Sequence, residues 1–220
     1  MPQQKNFETK EIRILTENEL LWFKDEVYRK YLNGRYVYNC PDAYILILNT
    51  GLRIGEALGL KWEDIDFDNK TMFIRRNIIM VKNRDEDGEA TGGYTKKEQN
   101  STKTQNSTRH INLNNTAIQC LKELKTNSKC EYVICNREGK SVYPARFGRT
   151  FELICKNANI PKCGVHILRH TFASKLFESG VDVKIVSSLL GHSSVSITYN
   201  IYIHIIDKYK QNAVELLGAI

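Results

Sequence analysis

Apolar positions along the chain fall first at helical spacing, then in short strand-like runs, and then at helical spacing again. Thr16 and Glu19 form a capping box ahead of Leu20, Phe23, Val27 and Tyr31, which predicts the first helix and the start of the ordered fold. Pro41, suited to a first helical turn, leads an apolar run from Ala43 to Leu48 that Gly51 ends, and a short helix should then carry Arg53 to Leu58. Residues 71–82 (TMFIRRNIIMVK) and 108–113 (TRHINL) are rich in β-branched and apolar residues and read as strands. The polar, glycine-containing stretch from Asn83 to Thr102 reads as a mobile hairpin or an insertion. Past Asn115 the helical pattern returns: Ala117, Leu121 and Leu124, then Phe147, Phe151, Ile154 and Ala158 behind Pro144, then Phe172 and Leu176, with Gly180 and Gly191 as punctuation.

The fold class expected is mainly α with one small antiparallel β-sheet near the middle. Residues 1–15 read as a linker or a disordered leader, 16–206 as one domain, and 207–220 as a short amphipathic tail with Val214, Leu217 and Ile220 on one face. A chain of 220 residues can bury a core without staples. The six cysteines (Cys40, Cys120, Cys130, Cys135, Cys155, Cys163) are scattered without metal-ligand spacing and read as reduced thiols, mostly core. Lysine and arginine outnumber aspartate and glutamate 32 to 25, a formal charge of +7 that suits a polyanionic partner. With no signal peptide and no run long enough to span a bilayer, the expected location is the cytoplasm, with no membrane partner.

Five segments carry candidate chemistry, in this order: TGLRIGEAL (50–58), STKTQNSTRHI (101–111), HILRHT (166–171), LLGHSS (189–194) and YNIYIH (199–204). Breaking a phosphodiester while conserving its bond energy needs a nucleophile that becomes attached, cations around the phosphate, and an acid for the leaving oxygen. Paired arginines offer planar forks of donors that stay charged at any working pH. Histidines can donate to the non-bridging oxygens or move a proton. A tyrosine of ordinary pKa, about 10, is a poor nucleophile at neutral pH unless nearby cations favour the phenolate.

In their order and separations these motifs resemble the tyrosine recombinase family, which includes phage integrases, the Xer recombinases and the integrases of conjugative transposons. The resemblance spans roughly residues 16 to 206 and implies an integrase-like catalytic domain. Position by position it implies a catalytic set of Arg53, Lys103, His166, Arg169, His192 and Tyr202. Glu56 matches an acidic helper that orients its cationic neighbour, and Lys103 would protonate the leaving 5′ oxygen. The implied reaction is site-specific strand exchange through a 3′-phosphotyrosine link, with no metal or other cofactor. The implied partners are double-stranded DNA attachment sites, three further copies of the chain in a homotetramer that exchanges the 207–220 tail, and accessory DNA-bending or directionality factors. The alternatives are a type IB topoisomerase-like nicking and closing enzyme, and a non-catalytic DNA-binding regulator on the same fold. Family members carry an amino-terminal DNA-clamping domain where this chain has residues 1–15, so it reads either as a fragment of a longer integrase or as one of the short inversion recombinases.

Plainer readings compete at several positions. Tyr199 is read as packing, because Tyr202 alone has the Tyr-x-His context with His204. His170 follows Arg169 directly and is rotated away from it on a helix, so it is read as a hydrogen-bonded, largely buried imidazole. His110, beside Arg109, is read as surface, and Lys103 shares its basic run with Lys96, Lys97 and Arg109. Arg75, Arg76, Arg146 and Arg149 are candidates for DNA phosphate contact, with surface ion pairing as the competing role.

Overall fold

The computed structural model of the chain describes residues 12–100, 108–126 and 128–203. Helix α1 (Glu17–Val27) has the expected capping box, with Thr16 Oγ1 accepting from Glu19 N and the Glu19 carboxylate accepting from Thr16 N. It ends at Val27, so Tyr31 lies beyond it, exposed in a turn closed by the Lys30 to Tyr36 bridge. Order begins earlier than Thr16: Leu15 is buried, and its N–H donates to Thr171 Oγ1 at 3.0 Å.

Helix α2 (Pro41–Thr50) is buried along most of its length and ends at Gly51, in the left-handed conformation with φ +65. A Cβ there would lie 2.5 Å from Phe172 Cδ1, so only glycine satisfies both the turn and the contact. Helix α3 (Ile54–Gly59) starts one residue later than expected. Arg53 is its N-cap, and the Glu56 carboxylate accepts from Arg53 N at 2.9 Å.

The strand expected over 71–82 is broken at Arg75, and one sheet becomes two. Strand β2 (Thr71–Ile74) lies between β1 (Ile65–Asp66) and β5 (Arg109–Asn112), antiparallel to both. Strand β3 (Arg76–Arg84) pairs with β4 (Ala90–Asn100), so the polar stretch forms a hairpin. Consecutive residues of an unbroken strand point to opposite faces. Here Arg75 and Arg76 both reach Asp64, on the 3-10 turn Trp62–Asp64, and Glu63 beside it, which only a break in the strand allows. Tyr132 Oη donates to Glu98 at 2.6 Å, tying the hairpin to the body.

Helices α4 (Asn115–Thr126) and α5 (Pro144–Asn157) cover the other side, with the Tyr44 and Phe147 rings stacked at 4.3 Å. Helix α6 (His166–Glu178) carries apolar residues on all sides, as a helix buried on several faces must. Helix α7 (Val183–Leu190) ends at Gly191, and residues 195–203 form α8. Among the described residues, nearly all the buried apolar side chains fall into two clusters. The larger runs from Leu15 to Leu168 and holds α1 to α5 together; the smaller is Ala173, Phe177, Val186, Leu190 and Tyr202, contributed by α6, α7 and α8. Helix α6 belongs to both, and its Arg169 and His170 fall at the seam.

All six cysteines are free, with the Cys155 and Cys163 sulfurs 3.8 Å apart. No helix among the described residues is long and apolar enough to cross a membrane.

Candidate active site

The seam is where the sequence motifs meet. Arg53, at the start of α3, directs one guanidinium nitrogen to the Glu56 carboxylate at 2.9 Å and another to Gly191 O at 3.3 Å. Arg169, on α6, donates to Gly51 O at 2.7 Å and to Leu190 O at 2.8 Å. Two arginines that lie far apart in sequence thus converge on the same short stretch of backbone, the carbonyls of Leu190 and Gly191 at the end of α7. Arg169 is buried while Arg53 is half-exposed, so one guanidinium forms the floor of the corner and the other its open side.

A third guanidinium completes the corner. Arg109, at the start of β5, makes a bidentate pair with Glu56 at 3.0 and 2.9 Å, and its Nε donates to Leu189 O at 2.9 Å. Gly191 lies directly against it: with φ +64, a Cβ there would sit 2.6 Å from an Arg109 nitrogen. Three guanidiniums stand here against one carboxylate, which pairs with two of them, Arg53 and Arg109, and this leaves a positive excess beside a half-exposed opening. Burial alone would raise the Glu56 pKa, but the Arg109 pair and the Arg53 contacts outweigh it and hold the carboxyl down at about 2. Burial, and then the charge of Arg53, push Arg169 down to about 9. A neighbouring anion would offset the repulsion between Arg53 and Arg169, which is the electrostatic condition of a phosphate site.

Two imidazoles flank the arginines. His166 opens α6 one turn before Arg169; burial, followed by the charges of Arg169 and Arg53, lowers its pKa. His192 follows Gly191, and its Nδ1 lies 2.7 Å from the buried Thr198 Oγ1, which fixes the ring. Its pKa is pushed down to about 4 by burial and then by Arg169, Arg53 and Arg109. Both rings are therefore neutral near pH 7, with one donor and one acceptor nitrogen each.

Tyr202 lies on α8 one turn after Thr198 and is 2% exposed, its ring 5.3 Å from that of Phe177. Its hydroxyl is 2.9 Å from His170 Nδ1. Burial pushes the phenol up to about 12, with Arg169 pulling the other way. Tyr199 is half-buried on the same helix.

Of the residues singled out in the sequence, Arg53, Glu56, His166, Arg169, His192 and Tyr202 thus gather at one seam. Lys103, His204 and the 207–220 tail lie outside the described residues. Arg75 and Arg76 are engaged by Glu63 and Asp64, and the Arg76 side chain is 8% exposed, whereas Arg146 and Arg149 are exposed on α5. His110 is exposed as expected, stacked on Phe73 at 4.6 Å.

Two side chains of the site, Arg109 and Thr198, went unread, and a third, His170, was read as a hydrogen-bonded imidazole, which it is, but without its partner. Arg109 shares a strand face with Ile111 and Leu113, both buried, so the alternation of TRHINL already placed it inward. His170 stands four residues after His166 and so on the same helical face. Thr198 bears the same relation to Tyr202, but a lone threonine gives no such signal.

Comparison with known proteins supplies the remaining observations. The Phage integrase family matches residues 42–208. A tyrosine recombinase XerC-like protein of Caldanaerobacter subterraneus subsp. tengcongensis is 39% identical over 217 residues, covering 92% of this chain and 55% of that protein. The transposase from transposon Tn916 of Enterococcus faecalis is 26% identical over 179 residues, covering 74% of this chain and 42% of its own. The chain spans about half the length of the curated relatives it matches. Among solved structures, the Tn1549 transposon integrase in complex with circular intermediate DNA superposes with a TM-score of 0.74 at 26% identity, over 93% of this chain and 67% of that one. The XerA recombinase shares the fold, with a TM-score of 0.64 at 20% identity, over 92% of this chain and 66% of that one.

Proposed function

Because this chain belongs to the phage integrase family, we propose that it cuts and rejoins DNA by transesterification, with Tyr202 as the nucleophile. The observation that carries this reading is the convergence of Arg53 and Arg169 on the Leu190 and Gly191 carbonyls, beside two neutral imidazoles and one phenol.

A scissile phosphate would enter at the half-exposed Arg53 and meet Arg169 beneath. Each guanidinium has five donors, so backbone carbonyls need not exhaust them. His166 and His192 donate to the remaining non-bridging oxygen positions. The Tyr202 oxygen attacks phosphorus as its proton passes to the acceptor nitrogen of a neighbouring neutral imidazole, His166 or His192, the bond to the 5′ oxygen breaks, and the DNA 3′ end is left as a phosphotyrosyl ester. The leaving oxygen takes a proton from Lys103 and becomes a 5′ hydroxyl. Attack by a second strand's 5′ hydroxyl reverses the step and restores the phenol. Bond energy is conserved in the ester throughout. Glu56 holds Arg53 in place through the pair at its cap.

The partner is double-stranded DNA at specific attachment sites, and strand exchange proceeds in a homotetramer with accessory DNA-bending or directionality factors. The exposed Arg146 and Arg149 contact backbone phosphates, which fixes register without reading sequence.

Nicked duplexes carrying candidate attachment sequences, incubated with the chain and resolved on a denaturing gel, test the reading. Protein joined to the 3′ end, absent with Tyr202→Phe while DNA binding persists, is the result expected. Adduct that survives Tyr202→Phe refutes the nucleophile. Supercoil relaxation without recombinants points to a nicking and closing enzyme, and binding with no adduct from the unaltered chain points to a regulator.

A further inference from the structure

The partner of the phenol is a residue to which neither the sequence pattern nor the proposed reaction gives a part. Tyr202 is 2% exposed, with its ring against Phe177 in the smaller cluster. A hydroxyl buried in that setting costs free energy unless it is hydrogen-bonded. Its partner is His170 Nδ1 at 2.9 Å, with the two rings tilted at 59° and their centroids 6.0 Å apart. His170 stands on α6 directly after Arg169 and one turn past His166, so the helix that carries the buried arginine also carries the phenol's anchor.

We propose that His170 is a positioning residue: it accepts the phenolic hydrogen of Tyr202 and keeps the nucleophile docked on α6, protonated and unreactive, until a bound phosphate draws it out. This rests on the reading of Tyr202 as the nucleophile. The direction of the hydrogen bond follows from the surroundings. Burial, with His166 and Arg169 close by, holds the imidazole pKa down at about 4, and burial holds the phenol up at about 12. The ring is therefore neutral, and since Nδ1 is the hydrogen-bond partner of the buried Tyr202 O–H among the described residues, Nδ1 accepts and the ring proton is on Nε2. Those acidities leave the hydrogen on the phenol oxygen, so His170 in this arrangement is a dock and not the base that ionises Tyr202. Arg169 links the two halves. It lies next to His170 in the chain, and its charge already pulls the phenol toward ionisation. A phosphate arriving at Arg53 and Arg169 offers α8 a competing destination.

Nitration by tetranitromethane, read at each tyrosine by peptide mass spectrometry, reports how often a phenol is free and ionisable. In the unaltered chain Tyr202 should be protected, as should Tyr44, which is 1% exposed in the main core. Loss of one hydrogen bond in His170→Leu should raise Tyr202 nitration about five- to tenfold and leave Tyr44 protected. His170→Asn, whose Oδ1 takes the place of Nδ1, should restore protection to within about twofold of the unaltered chain. Equal Tyr202 labelling in His170→Leu and the unaltered chain overturns the proposal, and so does His170→Asn behaving like His170→Leu. Where Tyr44 labelling rises as well, the variant has unfolded, and the 15N resonance of His170 Nδ1 decides: it should move in Tyr202→Phe, and an unmoved resonance overturns the proposal. DNA trapping is a separate readout, so a docked Tyr202 that never joins DNA faults the choice of nucleophile and leaves the dock intact.

Discussion

Glu56 and Arg109 meet through two hydrogen bonds, each side chain 8% exposed, whereas Tyr202 is held by a single hydrogen bond in a cluster of five buried residues. The guanidinium side of the seam draws its anchors from α3 and β5, which are tied to the main core, and from the carbonyls at the end of α7, where Leu190 belongs to the smaller cluster. The phenol side draws them from α6, α7 and α8. Charges that must await a phosphate profit from rigidity, because dipoles and cations already in place need no reorganisation when negative charge develops. A nucleophile that must advance, bond and withdraw profits from a shallow hold. On the proposed reaction, the two halves of the site would meet those opposite requirements.

The largest expected effect comes from breaking the guanidinium side where it faces solvent. Arg53→Ala should lower the rate of covalent trapping about a hundred- to a thousandfold, with little change in melting temperature because Arg53 is half-exposed. Trapping within about tenfold of normal would remove Arg53 from the phosphate site. Next comes its anchor. Glu56→Ala leaves Arg109 buried without its partner and should cost about 3–5 kcal/mol in urea denaturation, and a cost below about 1 kcal/mol would mean that the pair anchors nothing.

Acid should separate the two sides. His170 and His192 have folded pKa values near 4, below the ordinary histidine range, so the unfolded chain binds their protons first. Their contribution is complete above about pH 6.5 and is lost as pH falls toward 4. Glu56, held at about 2, contributes fully above the ordinary carboxyl range and loses that contribution only as pH falls from about 4.5 toward 2, on the order of 3 kcal/mol in all. Amide exchange along a pH series should therefore show α8 loosening before α3 and β5, and the reverse order would contradict the comparison. Gly191→Ala strikes the contact between the sides, adding a Cβ at φ +64 against Arg109, and should cost about 1–2 kcal/mol of stability. The smallest effect belongs to the surface: Arg149→Ala should weaken DNA binding slightly and reduce the slope of log affinity against log salt by about 1, while an unchanged slope would take Arg149 off the DNA.

Local rules made much of the architecture legible. Thr16 with Glu19, Pro41, and Gly51 set element ends through short-range hydrogen bonds and a steric allowance, and those ends stand where the pattern put them. Tyr31 failed because helical spacing persists in sequence after the chain has turned away at Tyr28. The break at Arg75 was invisible because its cause, the demand of Asp64 for two guanidiniums, is a contact between residues ten or more positions apart. The spacing of the site motifs was readable, since catalytic chemistry restricts residue types strongly. What escaped were the supports. Arg109 carried a periodicity signal, but a basic residue in a basic run invites the plainer reading; His170 was read as a hydrogen-bonded imidazole, and what stayed hidden was its partner, Tyr202. Thr198 acts only through the ring that it holds, and no sequence rule reports that.

The smaller cluster has one more consequence, for heat. A packing unit with five buried side chains among the described residues has far less to lose on opening than the main core, and such units can open separately. Warming should free α8 while α1 to α5 and both sheets stay intact, so that strand-joining capacity disappears some degrees below the melting of the bulk and returns on cooling. On the proposed function, the thermal limit would be set by the tether and not by the body.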